Sequence, residues 1–268
     1  MDKTLDSLIG EILSARKYRE LDLSPDTVRD LLEQELPRHR SQKDAVHVVR
    51  QKLHNVVATY LGEPDYTTAH SVLEEAFASR NPLEVTRTCT AFLSSHASTL
   101  ERMPLLVGFY PRLWEVTGEP NTLLDLACGL NPFAFPWMSL PNTVSYHAYD
   151  IVGPRVELIN HYFNLQGLRP LAEVRDILVM PPEVTADVAI FFKEAHRFEQ
   201  RRPGCNRAFW QSIKTRWLLV SLPTESLARK HSLIEGHRKL VQNTLNGLDW
   251  PVTEVEFPGE IVFCIRKA

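Results

Sequence analysis

The chain has 268 residues, of which 44% are hydrophobic and 24% are charged, and its formal net charge is −3. This composition is typical of a globular protein with a substantial core, and it excludes a polycation that binds nucleic acid through its overall charge. The four cysteines are Cys89, Cys128, Cys205 and Cys264. They lie far apart and form no CxxC pair, which argues against a zinc ribbon or a disulfide framework.

No apolar run approaches the ~18 residues that a membrane-spanning helix needs. The first residues, Met1, Asp2 and Lys3, lack the features of a signal peptide. We therefore expect a cytoplasmic protein that acts as a monomer, with neither a membrane partner nor a bound metal.

Helical periodicity dominates the chain before residue 120. A capping residue precedes a first-turn proline at Ser24-Pro25 and at Asn81-Pro82. The predicted helices are Lys3–Lys17, Pro25–Glu35, Ser41–Leu61, Thr67–Ser79, Pro82–His96 and Thr99–Thr117. The sequence thus predicts an all-helical N-terminal domain, which we place at residues 1–97.

Short apolar strands alternate with helices after residue 120, and this alternation predicts a parallel sheet with helices on both faces. The predicted strands are Thr122–Ala127, Ser145–Ile151, Leu171–Ile177, Ala186–Lys193, Trp217–Pro223, Val252–Phe257 and Glu260–Arg266. The predicted helices between them are Gly153–Gln166, Phe198–Ser212 and Leu227–Leu245.

Only Pro258-Gly259 separates the last two strands, and so short a connection allows only a hairpin. The last strand is therefore antiparallel to the others. A seven-stranded sheet with this arrangement is typical of the Rossmann-like class I methyltransferases, whereas a dinucleotide dehydrogenase normally lacks the terminal hairpin. We predict this α/β fold for residues 98–268.

The first strand of the sheet leads into a turn with a single glycine. Ala127 and Gly129 follow this strand, and the next segment is interrupted by Pro132 and Pro136. A dinucleotide site requires GxGxxG and an intact helix for its pyrophosphate, whereas S-adenosylmethionine has no phosphate and does not need that helix end. The alternative is a tight turn in another α/β protein.

Acidic residues end the next two strands. Asp150 is placed to accept hydrogen bonds from ribose hydroxyls, and Asp176, with the amide of Ile177, is placed to bind adenine. Phe192, at the end of the fourth strand, would pack on adenine. Lys193 and Glu199 follow, near the expected opening of the site to the substrate. The alternatives are loop caps for the aspartates, a solvated strand end for Lys193 and an exposed helical residue for Glu199.

Basic residues cluster between positions 38 and 54, against the single acid Asp44. On a helix, Arg40, Lys43, His47, Arg50 and His54 form one stripe, opposite an apolar stripe. This arrangement suits phosphate contacts, although an ordinary solvated face is the alternative. The candidate RNA-binding residues are Arg38, Arg40, Lys43, His47, Arg50, Lys52 and His54.

Several segments resemble one family, the aminoglycoside-resistance 16S rRNA methyltransferases of the Arm/Rmt/Sgm type. The matching runs are RQKLH at residues 50–54, HASTLERMP at 96–104, LDLACGLNP at 124–132 and VSLPTESL at 220–227. The chain departs from the family pattern at residues 194–201, EAHRFEQR, where the family usually has a proline and a leucine before the glutamate.

The resemblance implies S-adenosylmethionine-dependent methylation of N7 of guanine 1405 in the assembled 30S subunit, and hence aminoglycoside resistance. It also implies that Arg102 meets the cofactor carboxylate and that His96 and Ser98 line the same end of the site. Lys193 and Glu199 match positions that matter to activity. The alternatives are an adenine-N1 rRNA methyltransferase, a small-molecule methyltransferase and a non-catalytic RNA-binding protein that retains the fold.

Overall fold

The computed structural model describes residues 3–58, 63–225 and 233–267. Its N-terminal half is helical, with α1 Leu5–Leu13, α2 Arg16–Arg19, α3 Pro25–Glu35, α4 Gln42–Ala58, α5 Tyr66–Ala78, α6 Pro82–Ser95, α7 Ala97–Leu100 and α8 Leu106–Thr117. The prolines predicted at helix starts occupy the first turns of α3 and α6. The end of the predicted helix Ser41–Leu61 lies outside the described residues.

Two of the predicted N-terminal helices are wrong because each is divided. The first breaks after Leu13, where Ala15 has an extended backbone before α2 begins. The helix predicted over Thr99–Thr117 breaks around Pro104, in the 3₁₀ turn Met103–Leu105. Proline has no backbone N–H to donate within a helix, so this residue separates α7 from α8.

A single seven-stranded sheet forms the second half of the molecule. Its strands are β1 Thr122–Leu126, β2 Ser145–Asp150, β3 Ala172–Val174, β4 Ala186–Phe192, β5 Thr215–Pro223, β6 Val252–Phe257 and β7 Glu260–Arg266. The strand order is β3-β2-β1-β4-β5-β7-β6. Neighbouring strands from β3 to β5 are parallel, and β7 lies antiparallel between β5 and β6. The predicted fold class is thereby confirmed.

The helices of this half are α9 Gly153–Gln166, α10 Ala195–Arg201, α11 Cys205–Ser212 and α12 Ile234–Leu245. The single helix predicted over Phe198–Ser212 is wrong, because Gly204 has a φ of +79° and α11 begins after it. Residues 227–232 of the last predicted helix lie outside the described residues. The third strand is shorter than predicted because the chain leaves the sheet after Val174.

Three apolar cores hold these elements together. One core lies on each face of the sheet, and helices α5 and α6 contribute Leu73 and Phe92 to one of them. The third core joins α1 to α4 and also contains Val152 from the loop after β2. The cores therefore divide the chain after α4, while the domain boundary at residue 97 stays a prediction.

Backbone contacts fix the start of α3 beside the sheet. The Ser24 amide donates to the Ile151 carbonyl at 3.0 Å, and Leu23 forms an isolated antiparallel bridge with Val152. The Gly153 amide also donates to the Leu21 carbonyl at 3.1 Å. Since Ile151 directly follows β2, α3 begins at the carboxyl edge of the sheet.

Neither a membrane span nor a metal cluster is found within the described ranges. No helix there has the length and apolar character that crossing a bilayer requires. No group of three or more His, Cys, Asp or Glu side chains in the same ranges is arranged to hold a metal ion.

Candidate functional site

A narrow crevice opens beyond the carboxyl ends of β1, β2, β3 and β4. The chain order reverses between β1 and β4, and such a switch point is where parallel α/β sheets bind ligands. The crevice is lined by every residue predicted to hold the cofactor: His96, Ser98, Arg102, Ala127, Gly129, Asp150, Asp176, Ile177 and Phe192. The fold thus brings residues from the ends of four strands, β1 to β4, and from α7 and its flanks into one site.

The turn after β1 brings backbone, rather than side chains, to the crevice. Ala127 and Gly129 have φ values of +56° and +54°. The Gly129 amide donates to Asp150 at 3.0 Å, and a Cβ at this glycine would lie 3.5 Å from the His96 ring. Burial and then nearby cations lower the pKa of His96 to about 3, so its ring is neutral and is paired with Ser98 at 2.8 Å.

Asp150 is buried and fully hydrogen-bonded. Its carboxylate accepts from the amides of Gly129 and Val152 at 3.0 Å, and both oxygens accept from Arg155 at 2.8 Å. These contacts use all of the roughly four acceptor positions of a carboxylate. Arg155 also pairs with Glu63. The cavity within the crevice has a volume of about 100 Å³.

Arg155 is a site residue that the sequence analysis missed. Its only sequence signal is its position in the first turn of the helix that follows Asp150. Ribose hydroxyls that bind Asp150 have to replace this guanidinium. We therefore expect Arg155 to turn toward Glu63 when an adenosine enters the crevice.

Arg102 lies buried at the opposite end of the crevice. Its guanidinium donates to Glu260 through two nitrogens at 3.1 and 2.5 Å, and to Asn131 at 3.0 Å. It also lies 4.5 Å from the ring centres of both Phe109 and Phe192. Glu260 and Asn131 take three of its five N–H groups, and the Tyr110 hydroxyl is a further hydrogen-bond partner of the guanidinium.

Glu260 was also missed, because it lies far along the chain at the start of β7. Burial opposes its ionisation, but Arg102 and Lys193 outweigh that effect and hold its pKa below the usual value. Its carboxylate lies 3.7 Å from the Lys193 ammonium. Glu260 thus orients two cations at the inner end of the site.

Lys193 and Glu199, predicted as catalytic, have different surroundings. Lys193 is buried, with a φ of +59°, and its ammonium donates to the Ser98 carbonyl at 3.1 Å and to Glu101 at 2.6 Å. The Glu199 carboxylate instead accepts from the Gly204 amide at 2.7 Å and from the Asn206 side chain at 2.9 Å. Glu199 therefore caps α11, while Lys193 faces the crevice.

The crevice opens into a wider cavity of about 900 Å³. Ser98, Lys193 and Arg197 line both spaces, and Asn55 at the end of α4 lines the wider one. The side chain of Lys193 therefore marks the passage between the two. This second cavity is large enough for a drug-sized or nucleotide-sized group, for which pockets typically span ~300–1,000 Å³.

Four members of the predicted basic stripe lie on the exposed face of α4, whereas Arg40 precedes this helix, which begins at Gln42. All five members of the basic stripe are exposed: Arg40, Lys43, His47, Arg50 and His54. The opposite, apolar stripe packs in the third core. Acids from neighbouring helices nevertheless neutralise part of the cluster. Glu35 pairs with Arg38 and Lys52, and Glu11 pairs with Arg50.

Asp125 lies on β1, within the run LDLACGLNP at residues 124–132, and its environment leads to a prediction about how stability depends on pH. It accepts from Asn131 at 2.8 Å and from Tyr146 at 2.7 Å, and burial raises its pKa to about 7. The folded state therefore keeps a proton that the unfolded chain has lost, and stability falls as pH rises from about 4 to about 7.

Asp125→Asn should remove this dependence. We expect the free energy of unfolding of the wild type, relative to the variant, to fall by about 1–3 kcal/mol over that pH range. Denaturant titrations at several pH values measure it. A constant difference would show that Asp125 does not titrate in this window.

The fold and the crevice define a Rossmann-like class I methyltransferase, for which S-adenosylmethionine is the methyl donor. The residues present fit this cofactor, with the Arg102 guanidinium at one end and the carboxylates of Asp150 and Asp176 at the other. The model of the FmrO family, described as ribosomal RNA methyltransferase, matches residues 14–264. The chain belongs to this family, and the resemblance found in the sequence is confirmed.

Individual relatives match over almost the whole chain. A 16S rRNA (guanine(1405)-N(7))-methyltransferase of Micromonospora olivasterospora is 30% identical, covering 94% of this chain and 85% of the relative. One from Frankia casuarinae is 28% identical over 99% of this chain and 95% of its own. The solved structure of the 16S rRNA methyltransferase RmtF in complex with S-adenosyl-L-homocysteine has a TM-score of 0.83 and 26% identity, with full coverage of both chains.

Proposed function

We propose that this enzyme methylates N7 of guanine 1405 in 16S rRNA of the assembled 30S subunit, in the cytoplasm, and thereby confers aminoglycoside resistance. The observation that carries the proposal is the passage at Lys193 between the aspartate-lined crevice and the wider cavity. The names of the aligned relatives support this target, since they are 16S rRNA (guanine(1405)-N(7))-methyltransferases.

Each end of the crevice would hold one part of the cofactor. Arg102 would bind the carboxylate, beside His96 and Ser98, and Asp150 would bind the ribose. Asp176 and the Ile177 amide would bind adenine. Phe192, predicted to pack on adenine, instead lies 4.5 Å from the Arg102 guanidinium, so its ring would exclude water at the carboxylate end of the site. When bound, the cofactor supplies a methyl group that is already activated by its sulfonium.

The protein then has to align the target rather than activate it. N7 of guanine carries a free lone pair, so no residue has to remove a proton before transfer. Orientation of this kind can supply about 7–11 kcal/mol of a barrier. Lys193, held by Ser98 and Glu101, lies where it can position the target base between the two cavities.

The basic face of α4, together with Arg40 just before it, would bind rRNA phosphates, within a helical domain that we place at residues 1–97. Arg40 and Lys43 are exposed, and no ion pair of theirs occurs in the described ranges. They would therefore make the strongest phosphate contacts, with Arg38, His47, Arg50, Lys52 and His54 around them. The helix would thus present cations beside the wider cavity, where Lys52 and Asn55 also lie.

Growth on three drugs tests this function in a sensitive bacterium that expresses the protein. We expect resistance to gentamicin and kanamycin without resistance to apramycin, because the modified guanine lies where the first two drugs bind. Resistance that includes apramycin would instead indicate adenine-N1 methylation. A Lys193→Ala variant, expressed to the same level, should restore sensitivity.

A further inference from the structure

We propose that Thr27 and Arg201 are positioning residues, which hold Asp176 for the 6-amino group of the cofactor adenine. Helix α3 of the N-terminal half is then part of the cofactor site. This inference rests on the proposed function only in taking S-adenosylmethionine as the ligand of the crevice.

The contacts of Asp176 leave room for one further donor. Its Oδ2 atom accepts from the Thr27 hydroxyl at 2.7 Å and from Arg201 at 2.7 Å. Its Oδ1 atom accepts from the Leu178 amide at 3.1 Å. A carboxylate has roughly four acceptor positions, so one remains on Oδ1 for an amino group.

Burial makes these contacts difficult for water to replace. Thr27 is 0% exposed and Asp176 is 2% exposed. The second terminal nitrogen of Arg201 donates to Asp30, one turn after Thr27 on α3, at 2.7 Å. Helix α3 therefore contributes a hydroxyl directly to Asp176 and a carboxylate that fixes the arginine on α10.

The position of Thr27 is itself determined by the sheet. Its helix starts at Ser24, whose amide is bonded to Ile151 at the end of β2. Both ends of the Thr27–Asp176 hydrogen bond thus belong to elements fixed at the same sheet edge. The hydroxyl can hold Oδ2 in place, so that Oδ1 keeps a constant direction toward the adenine.

Calorimetry with two ligands tests this role: S-adenosylhomocysteine, and its inosine counterpart, in which an oxygen replaces the 6-amino group. Wild type should prefer the adenosine form by about tenfold or more, as expected for a hydrogen bond to a charged acceptor. Thr27→Val keeps the volume of the side chain but removes the hydroxyl. We expect the preference to fall severalfold in this variant and to be retained in Thr27→Ser.

Matched controls separate positioning from general stability. Thr117→Val removes a buried hydroxyl that bonds within its own helix, and it should leave the preference unchanged. Arg201→Lys should reduce the preference, whereas Arg202→Lys should not, because Arg202 reaches Asp30 but not Asp176.

An equal loss of affinity for both ligands in Thr27→Val, or an unchanged preference, would overturn the inference. Failure of wild type to bind either ligand would count instead against the cofactor assignment in the proposed function. The two failures are therefore distinguishable in one set of titrations.

Discussion

Asp150→Ala is expected to abolish binding of S-adenosylhomocysteine. The substitution removes the acceptors for both ribose hydroxyls, and each hydrogen bond to a charged group contributes about 1.5–3 kcal/mol. The combined loss corresponds to a fall in affinity of at least about a hundredfold. Isothermal titration calorimetry measures it, with the circular dichroism spectrum as a check that the variant is folded.

Asp187→Ala provides a matched control. This carboxylate also accepts from two backbone amides, those of Asn121 and Thr122, but it lies at the amino end of the strands, away from the crevice. We expect the variant to bind with wild-type affinity. Wild-type affinity in Asp150→Ala would mean that the ribose lies elsewhere.

Reversing three charges on α4 and just before it should weaken binding to the 30S subunit on the order of a hundredfold at physiological salt, because each lost phosphate contact also forfeits counterion release. The substitutions are Arg40→Glu, Lys43→Glu and Arg50→Glu. The salt dependence of the remaining affinity should become shallower, while S-adenosylhomocysteine affinity should be unchanged, since none of these residues lines the crevice. Filter binding over a series of salt concentrations measures both effects.

The control reverses three exposed cations near the amino end of β5, at the end of the sheet opposite the crevice: Lys214, Arg216 and Arg266. This triple variant has the same change in net charge but alters the surface opposite the crevice. We expect its 30S affinity to stay close to that of wild type. Equal weakening by both triples would show that net charge, rather than the α4 face, determines binding.

Periodicity was sufficient to predict the sheet and most helices, because apolar spacing follows directly from which face of an element is buried. The terminal hairpin was predictable since Pro258-Gly259 is too short for any other connection. The placement of Asp150 and Asp176 in one site was predictable because the carboxyl ends of parallel strands lie at the same edge of the sheet. Their distance in sequence did not matter for this conclusion.

Tertiary pairing could not be predicted in the same way. The acids that neutralise Arg38, Arg50 and Lys52 come from α1 and α3, so the apparent excess of charge on α4 is smaller in the folded chain. The partners Arg155 and Glu260 were likewise missed, because side chains distant in sequence meet only after the sheet has formed. Glu199 matched a functional position of the family, yet its carboxylate is used to cap α11.

The central claim is that the crevice directs a methyl group onto a guanine N7 in the 30S subunit. Its most direct test incubates purified 30S subunits with the protein and S-adenosylmethionine, and then treats the extracted 16S rRNA with borohydride and aniline, which cleave at N7-methylguanine. We predict a new cleavage at guanine 1405 that requires both the protein and the cofactor. An uncleaved rRNA, or a primer-extension stop at an adenine instead, would contradict the account.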